Sequence, residues 1–599
     1  MGLERELKFS LSADAAQALG GHALLLLAGA PRLRGLRTLY FDTEGLELGA
    51  AGLVLRLRDD GTARVLTVKA RGDDALGAVR QEWEWPALDS RGDTLGARDL
   101  EHALRHTGLG RAGPGGDAAP WQARLAPRFQ TRFERHAWDI EWQGARIELA
   151  LDQGACVALR EGREHSATLC ELELEVLQGE LAQAWDLAWT LGQDLALVLS
   201  PIDKARRAVA LLRAERLPVP AEPGPLARDA TMQQAVRQWL HTACAQLAVW
   251  AERIAEADDA HDVHQFRVVL RRMRTALRWL AGQLPRGAAR WLRGELRWAH
   301  QLAGLVRDAD VSLQLLAQAA AGPGPVADQA GALARPIGGA RAQHRLALQA
   351  YVRSARFARL LMALGRCGDV GPAEPRAGAL RRMAGQALRQ DEAEWRDALD
   401  VECLLRDCTA QGLPRPEQAL RLHRLRIASK RLRLSAERLS GLMPRKARHR
   451  YAQAGKLATA LQTHLGAWHD ADRLLQSLAS APTPSDALRP WLETYAAQAL
   501  REARQALEQA LAPRPRRARP ARAAGASPAP AVADAGVEPL LEPPRAPAQS
   551  VEAPAAGDGP WPDELVADDQ PPDALSSVQA LPAADAPVDV DNPATNSAR

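Results

Sequence analysis

A chain of 599 residues, 46% hydrophobic and 25% charged, is too long for one core and has the composition of two or three globular domains. No apolar run approaches the ~20 residues of a membrane-spanning helix, and six cysteines without C-x-x-C spacing suggest neither a disulfide framework nor a zinc site. The net charge of +4 hides an asymmetry: from Ala523 onward 13 acidic residues face two arginines, so the tail carries −11 and the remainder +15.

Glu4, Glu6 and Lys8 stand where a signal peptide would place its apolar stretch, so a cytoplasmic chain with no membrane partner is expected. Residues 1–212 alternate with period 2, broken by Gly and Asp turns, and read as strands. Residues 213–226 form a Pro-rich hinge (LPVPAEPGPL), residues 227–511 read as helical throughout, and 512–599 form a Pro/Ala/acidic tail expected to be disordered.

On a strand, residues two apart share a face, so Glu4, Glu6 and Lys8 point one way and Leu3, Leu7 and Phe9 the other. The arrangement recurs at Arg56 and Arg58, at Thr67 and Lys69, at Arg80, Glu82 and Glu84, and at Glu171, Glu173 and Glu175. One such strand is an ordinary half-exposed strand. Five in one domain suggest a closed barrel whose lumen carries both signs of charge. Carboxylates suit Mg²⁺ or Mn²⁺ and Arg and Lys suit phosphate, so together they describe a metal–polyphosphate site.

The ordered set Glu4-x-Glu6-x-Lys8, Thr38-Leu-Tyr-Phe-Asp42-Thr43, Arg56-Leu-Arg58, Lys69, Arg132, Glu148 to Asp152-Gln-Gly154, Glu171-Leu-Glu173 and Ser200-Pro201-Ile-Asp203-Lys204 resembles the CYTH, or triphosphate tunnel metalloenzyme, family. Three of the chain's six lysines, Lys8, Lys69 and Lys204, fall on its positions. The resemblance implies an α+β multidomain protein that begins with an antiparallel eight-stranded tunnel barrel. It implies Glu4, Glu6, Asp152, Glu171 and Glu173 as ligands of Mg²⁺ or Mn²⁺. Lys8, Arg56, Arg58, Lys69, Arg132 and Lys204 are implied as the clamp on the phosphates, with Glu4, Glu6, Lys8, Lys69 and Asp152 as the catalytic set. Asp203 departs from the pattern, where relatives often carry Ser. The implied reaction is hydrolysis of inorganic tripolyphosphate to pyrophosphate and phosphate. A class IV-type adenylate cyclase, a thiamine triphosphatase and a non-catalytic polyphosphate-granule protein are the alternatives.

The helical segment contains a repeat. His264, Arg267, Arg271, Arg274 and Arg278 fall at offsets 0, 3, 7, 10 and 14, and His423, Arg426, Lys430 and Arg433 repeat the first four. These offsets run along one side of a helix. Asp308 and Asp310, then Asp470 and Asp472, follow each copy, which indicates a duplicated helical unit. Two stripes of one sign repel unless a polyanion neutralises them. The segment resembles the CHAD domain, an all-α fold associated with polyphosphate, which implies long-chain polyphosphate as a partner of His264, Arg267, Arg271, Arg274, His423, Arg426, Lys430 and Arg433. Nucleic acid is not expected, because aromatic platforms and a groove-reading motif are missing.

Overall fold

The computed structural model describes residues 2–72, 75–107, 109, 121, 123–280, 282–370, 378–399, 416–479 and 486–511; the acidic tail lies outside the described residues. The strands are β1 (Gly2–Ser10), β2 (Arg32–Asp42), β3 (Leu53–Asp59), β4 (Arg64–Ala70), β5 (Val79–Pro86), β6 (Ala126–Trp142), β7 (Ala145–Arg160), β8 (Arg163–Gln178) and β9 (Val198–Leu199). They pair antiparallel in the order β5-β4-β3-β2-β6-β7-β8-β1, and β5 returns to β1 with Glu4 opposite Arg80. That last pairing closes an eight-stranded barrel, with β9 added beside β1. Two of the long hairpins turn on residue pairs with positive φ, Gln143-Gly144 and Glu161-Gly162, matching the two-residue turns that follow the twist of paired strands.

Period-2 alternation sorts each strand into two faces. Glu4, Glu6 and Lys8 of β1 face the lumen, while Leu7 and Phe9 face outward with Leu149 and Leu151 of β7 and Leu172 and Leu174 of β8. This outer face is not wet. It shares one apolar core with Trp185 and Leu187 of the helix Leu181–Leu191 and with Phe266, Phe357 and Leu361 of the helical region. The helix Leu181–Leu191 lies against this face and in turn against the helix Ala355–Val370 of the helical region, and at ~25 cal/mol per Å² of apolar surface this burial holds the two halves together.

The Pro-rich segment is a docked strap rather than a free hinge. Leu226 is buried in the shared core, Gln246 donates to the Pro220 carbonyl at 3.0 Å, and the Glu222 carboxylate bonds both Arg272 and Arg438. These two arginines come from the two copies of the repeat, so the strap ties the copies together. The copies themselves are the helices Ala260–Leu280 and Arg286–Ala319, then Pro416–Leu439 and Arg445–Ala479. A second apolar core, with Leu425, Leu432, Leu465 and Trp468, holds the second copy against the helix Leu488–Leu511.

Candidate functional site

The barrel encloses a lumen of about 310 Å³ lined by charged side chains of both signs. The Asp59–Arg64 turn lies at one end. The helix Lys204–Arg213 packs across the other, with Ala205 and Ala208 against Tyr40, Phe133 and Cys156. Asp203 begins that helix by accepting from the Arg206 backbone N–H at 2.8 Å, and it also faces Arg80 at 3.7 Å. Carboxylate therefore does the capping work a serine would do here.

At the helix end, three acids surround one ammonium. Lys204 Nζ lies 2.6 Å from Glu173 Oε1, 2.9 Å from Asp152 Oδ2 and 3.7 Å from Glu171 Oε2. Asp152 and Glu171 are direct cross-strand neighbours, which is why they converge. Arg135 closes the cluster with a bidentate pair to Asp152, both bonds 2.7 Å, and a 2.6 Å bond to Glu173. Against the cost of burial, the three acids hold the Lys204 ammonium well above its ordinary value, and Lys204, Arg135 and Lys8 hold Glu173 well below its own. Glu171 behaves differently. Burial raises it, and neither of its carboxylate oxygens has a hydrogen-bond partner.

Midway along the lumen Lys69 bonds both oxygens of Glu4, at 2.6 and 2.9 Å, and reaches Glu82 at 3.1 Å. Lys8 bonds Glu6 and Arg56 bonds Glu82 at 3.3 Å. Glu175, opposite Glu6 on β8, is pushed up to about 7 by burial and by Glu4 and Glu6. Toward the Asp59–Arg64 turn stands Arg58, which makes no ion pair among the described residues; its Nε is buried without a partner, and Arg56 and burial depress its basicity. The barrel thus holds a guanidinium with an orphaned Nε and a carboxyl group whose oxygens accept no hydrogen bond.

Of the clamp that the resemblance implies, Lys8, Arg56, Arg58, Lys69 and Lys204 line the lumen. Arg132 does not. It is exposed on the outer face of β6, out of phase with Phe133 and Arg135, so the lumen arginine of this strand is Arg135. The strand's parity carries this signal: Arg132, Glu134 and His136 form a polar period-2 set of the solvent face, and Arg135 falls on the other set with Phe133 and Ala137. Arg80, Glu82, Glu84 and Glu175 also line the lumen, where the alternation alone had placed them without a role.

Glu4, Glu6, Asp152, Glu171 and Glu173 supply the oxygen donors that a hard divalent ion requires, and the orphaned Glu171 carboxylate is a group such an ion would satisfy. Among the described residues no three His, Cys, Asp or Glu side chains are gathered into a ready chelate, because Lys and Arg stand between the acids.

In the helical region the two basic stripes converge. Burial, then Arg433, Arg267, Arg272 and Arg426, pushes Arg271 down to about 10. Burial with Arg426, Arg271 and Arg267 pushes Lys430 down to about 7. Arg426 and Arg433 each keep a buried Nε without a partner. Arg267 is held by Asp308 at 3.0 Å, and Asp308 also takes Arg473 of the second copy at 2.7 Å. Arg274 lies 3.1 Å from His300, and His264 and His423 stand at the stripe ends, with His264 pushed down to about 4 by burial and Arg307. Arg278, the last residue of the first stripe, instead pairs with Glu394 at 2.9 Å and Asp391 at 3.3 Å.

A closed antiparallel tunnel lined by acids and bases, joined to a duplicated basic helical bundle, defines a two-domain α+β architecture. The chain carries a CYTH domain over residues 2–209 and a CHAD domain over residues 238–479. CYTH domains form a family of metal-dependent triphosphate tunnel enzymes. An inorganic triphosphatase of Haemophilus influenzae is 27% identical over 177 residues, which cover 29% of this chain and 44% of that protein. The chain therefore matches less than half the length of that curated relative. Among solved structures, the CHAD domain of the plant Ricinus communis is 24% identical, covering 48% of this chain and 93% of that one, with a TM-score of 0.36. A proposed adenylyl cyclase from Hippeastrum, described as having a dominant triphosphatase activity, is 20% identical, covering 36% and 98%, with a TM-score of 0.27.

Proposed function

We propose that this protein is a metal-dependent inorganic triphosphatase whose helical domain binds long-chain polyphosphate. The observation that carries the reading is the crowding of both signs of buried charge in one closed tunnel, where Arg58 makes no ion pair among the described residues and neither oxygen of the Glu171 carboxyl accepts a hydrogen bond. A polyphosphate with its cation would answer both.

Hydrolysis adds water across a terminal P–O–P linkage. The water oxygen bonds the terminal phosphorus in line, the bridging P–O bond breaks, and pyrophosphate leaves with the electron pair while a water proton passes to solvent. Little covalent work falls to the protein, so positioning and charge neutralisation decide the rate. Lys8, Arg56, Arg58, Lys69, Arg135 and Lys204 bind the phosphate oxygens and orient the chain along the lumen. Glu4, Glu6, Asp152, Glu171 and Glu173 would hold Mg²⁺ or Mn²⁺, which supplies neutralising charge and lowers the pKa of a bound water. Lys8, Arg56, Lys69, Arg135 and Lys204 are each held by a carboxylate, so binding at these five exchanges ion pairs inside the lumen rather than desolvating free charges.

The converging stripes support the polyphosphate role of the helical domain. Arg271 and Lys430 lose basicity through burial first and then through their neighbours' charge, and successive phosphates would relieve that repulsion. Association with polyphosphate granules in the cytoplasm follows from this reading. The test is phosphate release by the full chain from tripolyphosphate, ATP and thiamine triphosphate, with cyclic AMP followed in the ATP arm. Preference for tripolyphosphate supports the proposal, whereas cyclic AMP as the main product replaces it with a cyclase.

A further inference from the structure

The lumen does not end in open solvent at the Lys204–Arg213 end. It opens into a cleft of about 1320 Å³ between the barrel, the docked strap and the first helix of the helical domain, Met232–Glu256. Tyr40, Val54, Lys69, Arg80, Asp203 and Ala205 line both the lumen and the cleft, so the two spaces meet at this wall.

Among the described residues the charges on the cleft wall are unbalanced. Arg71, Arg206 and Arg213 line it and make no ion pair among the described residues. Arg206 is held below its ordinary value by burial first, and the repulsion of Arg71 and Arg80 adds to this against the attraction of Asp203. These groups therefore gather at the mouth. The acids present are largely committed. Asp42 accepts from the backbone N–H groups of Thr43, Leu48 and Gly49, and Asp203 caps its helix and faces Arg80; Glu215 is exposed at the rim. On the helical side Arg237 pairs with Asp369 at 3.2 Å. The shared core and the strap hold the two walls of the cleft together.

We propose that this cleft is an extended phosphate subsite, in which Arg71 and Arg206 hold the part of a linear polyphosphate that protrudes from the tunnel. The inference rests on the triphosphatase reading of the lumen and extends its substrate class to chains longer than the lumen can contain. A chain threaded past Lys69 and Arg80 meets Arg71 and Arg206 next, so a longer phosphate gains contacts that tripolyphosphate does not reach. Guanidinium groups suit the role because each presents paired donors to phosphate oxygens.

The experiment uses the full chain and the double variant Arg71→Gln/Arg206→Gln. It measures kcat/KM for tripolyphosphate and competitive inhibition of that reaction by a longer linear polyphosphate of defined length. The inference expects unchanged tripolyphosphate kinetics, which also reports correct folding, and inhibition by the longer chain weakened about tenfold for two lost charge-assisted contacts. Equal inhibition of wild type and variant overturns it. If Arg206→Gln disturbs the fold, the exposed Arg71→Gln alone decides, with a loss of a few-fold expected. If wild type releases no phosphate at all, the catalytic reading is what fails. Calorimetric titration with the longer chain then decides the cleft: weaker binding by the variant supports it and identical isotherms overturn it.

Discussion

Trp185 of the barrel domain donates its indole N–H to Asp369 of the helical domain at 2.6 Å, and its ring lies over Gly365 so closely that an added Cβ would sit 2.3 Å from Cη2. Trp185 is fully buried, so neither partner can withdraw. Gly365→Ala is expected to destabilise the full chain by about 1–3 kcal/mol through overpacking, read as a lower thermal midpoint. An unchanged midpoint would show that the domains are less tightly joined than this contact indicates.

The same contact bears on truncation. Residues 1–215 alone would expose Trp185, whose ring packs on Gly365, and Trp189, whose ring packs on Trp291. The isolated barrel is expected to aggregate or melt well below the full chain, measured by light scattering and calorimetry. A monomeric fragment as stable as the full chain would contradict a common core.

Arg132 and Arg135 separate the two faces of β6 experimentally. Arg135→Met removes the partner of Asp152 and Glu173, and it should lower kcat/KM for tripolyphosphate about 100-fold. Arg132→Ala, on the solvent side, should stay within about twofold. Equal losses for both would place the face assignment in error.

Glu175 gives a signed pH dependence. Its carboxyl is pushed up to about 7, against 4.5 in the unfolded chain, so the fold holds a proton that the unfolded chain releases. The stability this proton confers is complete below 4.5 and is lost as pH rises through 7. Glu175→Gln should therefore match wild type near pH 4.5 and exceed it at pH 8 by about 1–2 kcal/mol after screening, measured by urea denaturation. A variant less stable than wild type at pH 8 would reverse the sign.

Lys430 gives the opposite kind of switch. With its ammonium pushed down to about 7, it is charged at pH 6 and neutral at pH 8.5. Polyphosphate affinity of the full chain should fall across that window, and Lys430→Met should bind more weakly at pH 6 with a flatter profile. His264 at about 4 and His469 at about 3 are neutral throughout the window and do not contribute. Identical slopes for wild type and variant would remove Lys430 from the site.

Much of this was legible in period and charge. Glu4, Glu6 and Lys8 share a strand face in the sequence and share the lumen in the fold, and the two basic stripes were visible as offsets before they were seen to converge. At β6 the ordered motif points to Arg132 and the strand's parity to Arg135, and it is Arg135 that lines the lumen. Proline content marks the strap as a hinge in the sequence, because it reports backbone stiffness and says nothing of what Glu222 or Leu226 touches. The shared core was equally hidden, since the outward Leu7 and Phe9 look the same in a sequence whether water or another domain covers them.

The most direct measurement is metal-dependent phosphate release from tripolyphosphate by the full chain, wild type against Glu4→Gln/Glu6→Gln, with Mg²⁺ or Mn²⁺ and with chelator. The account predicts turnover by wild type only with metal, and a loss of at least about 100-fold in the variant. No release by wild type, or release that the variant retains, would contradict the placement of the active site in the barrel lumen.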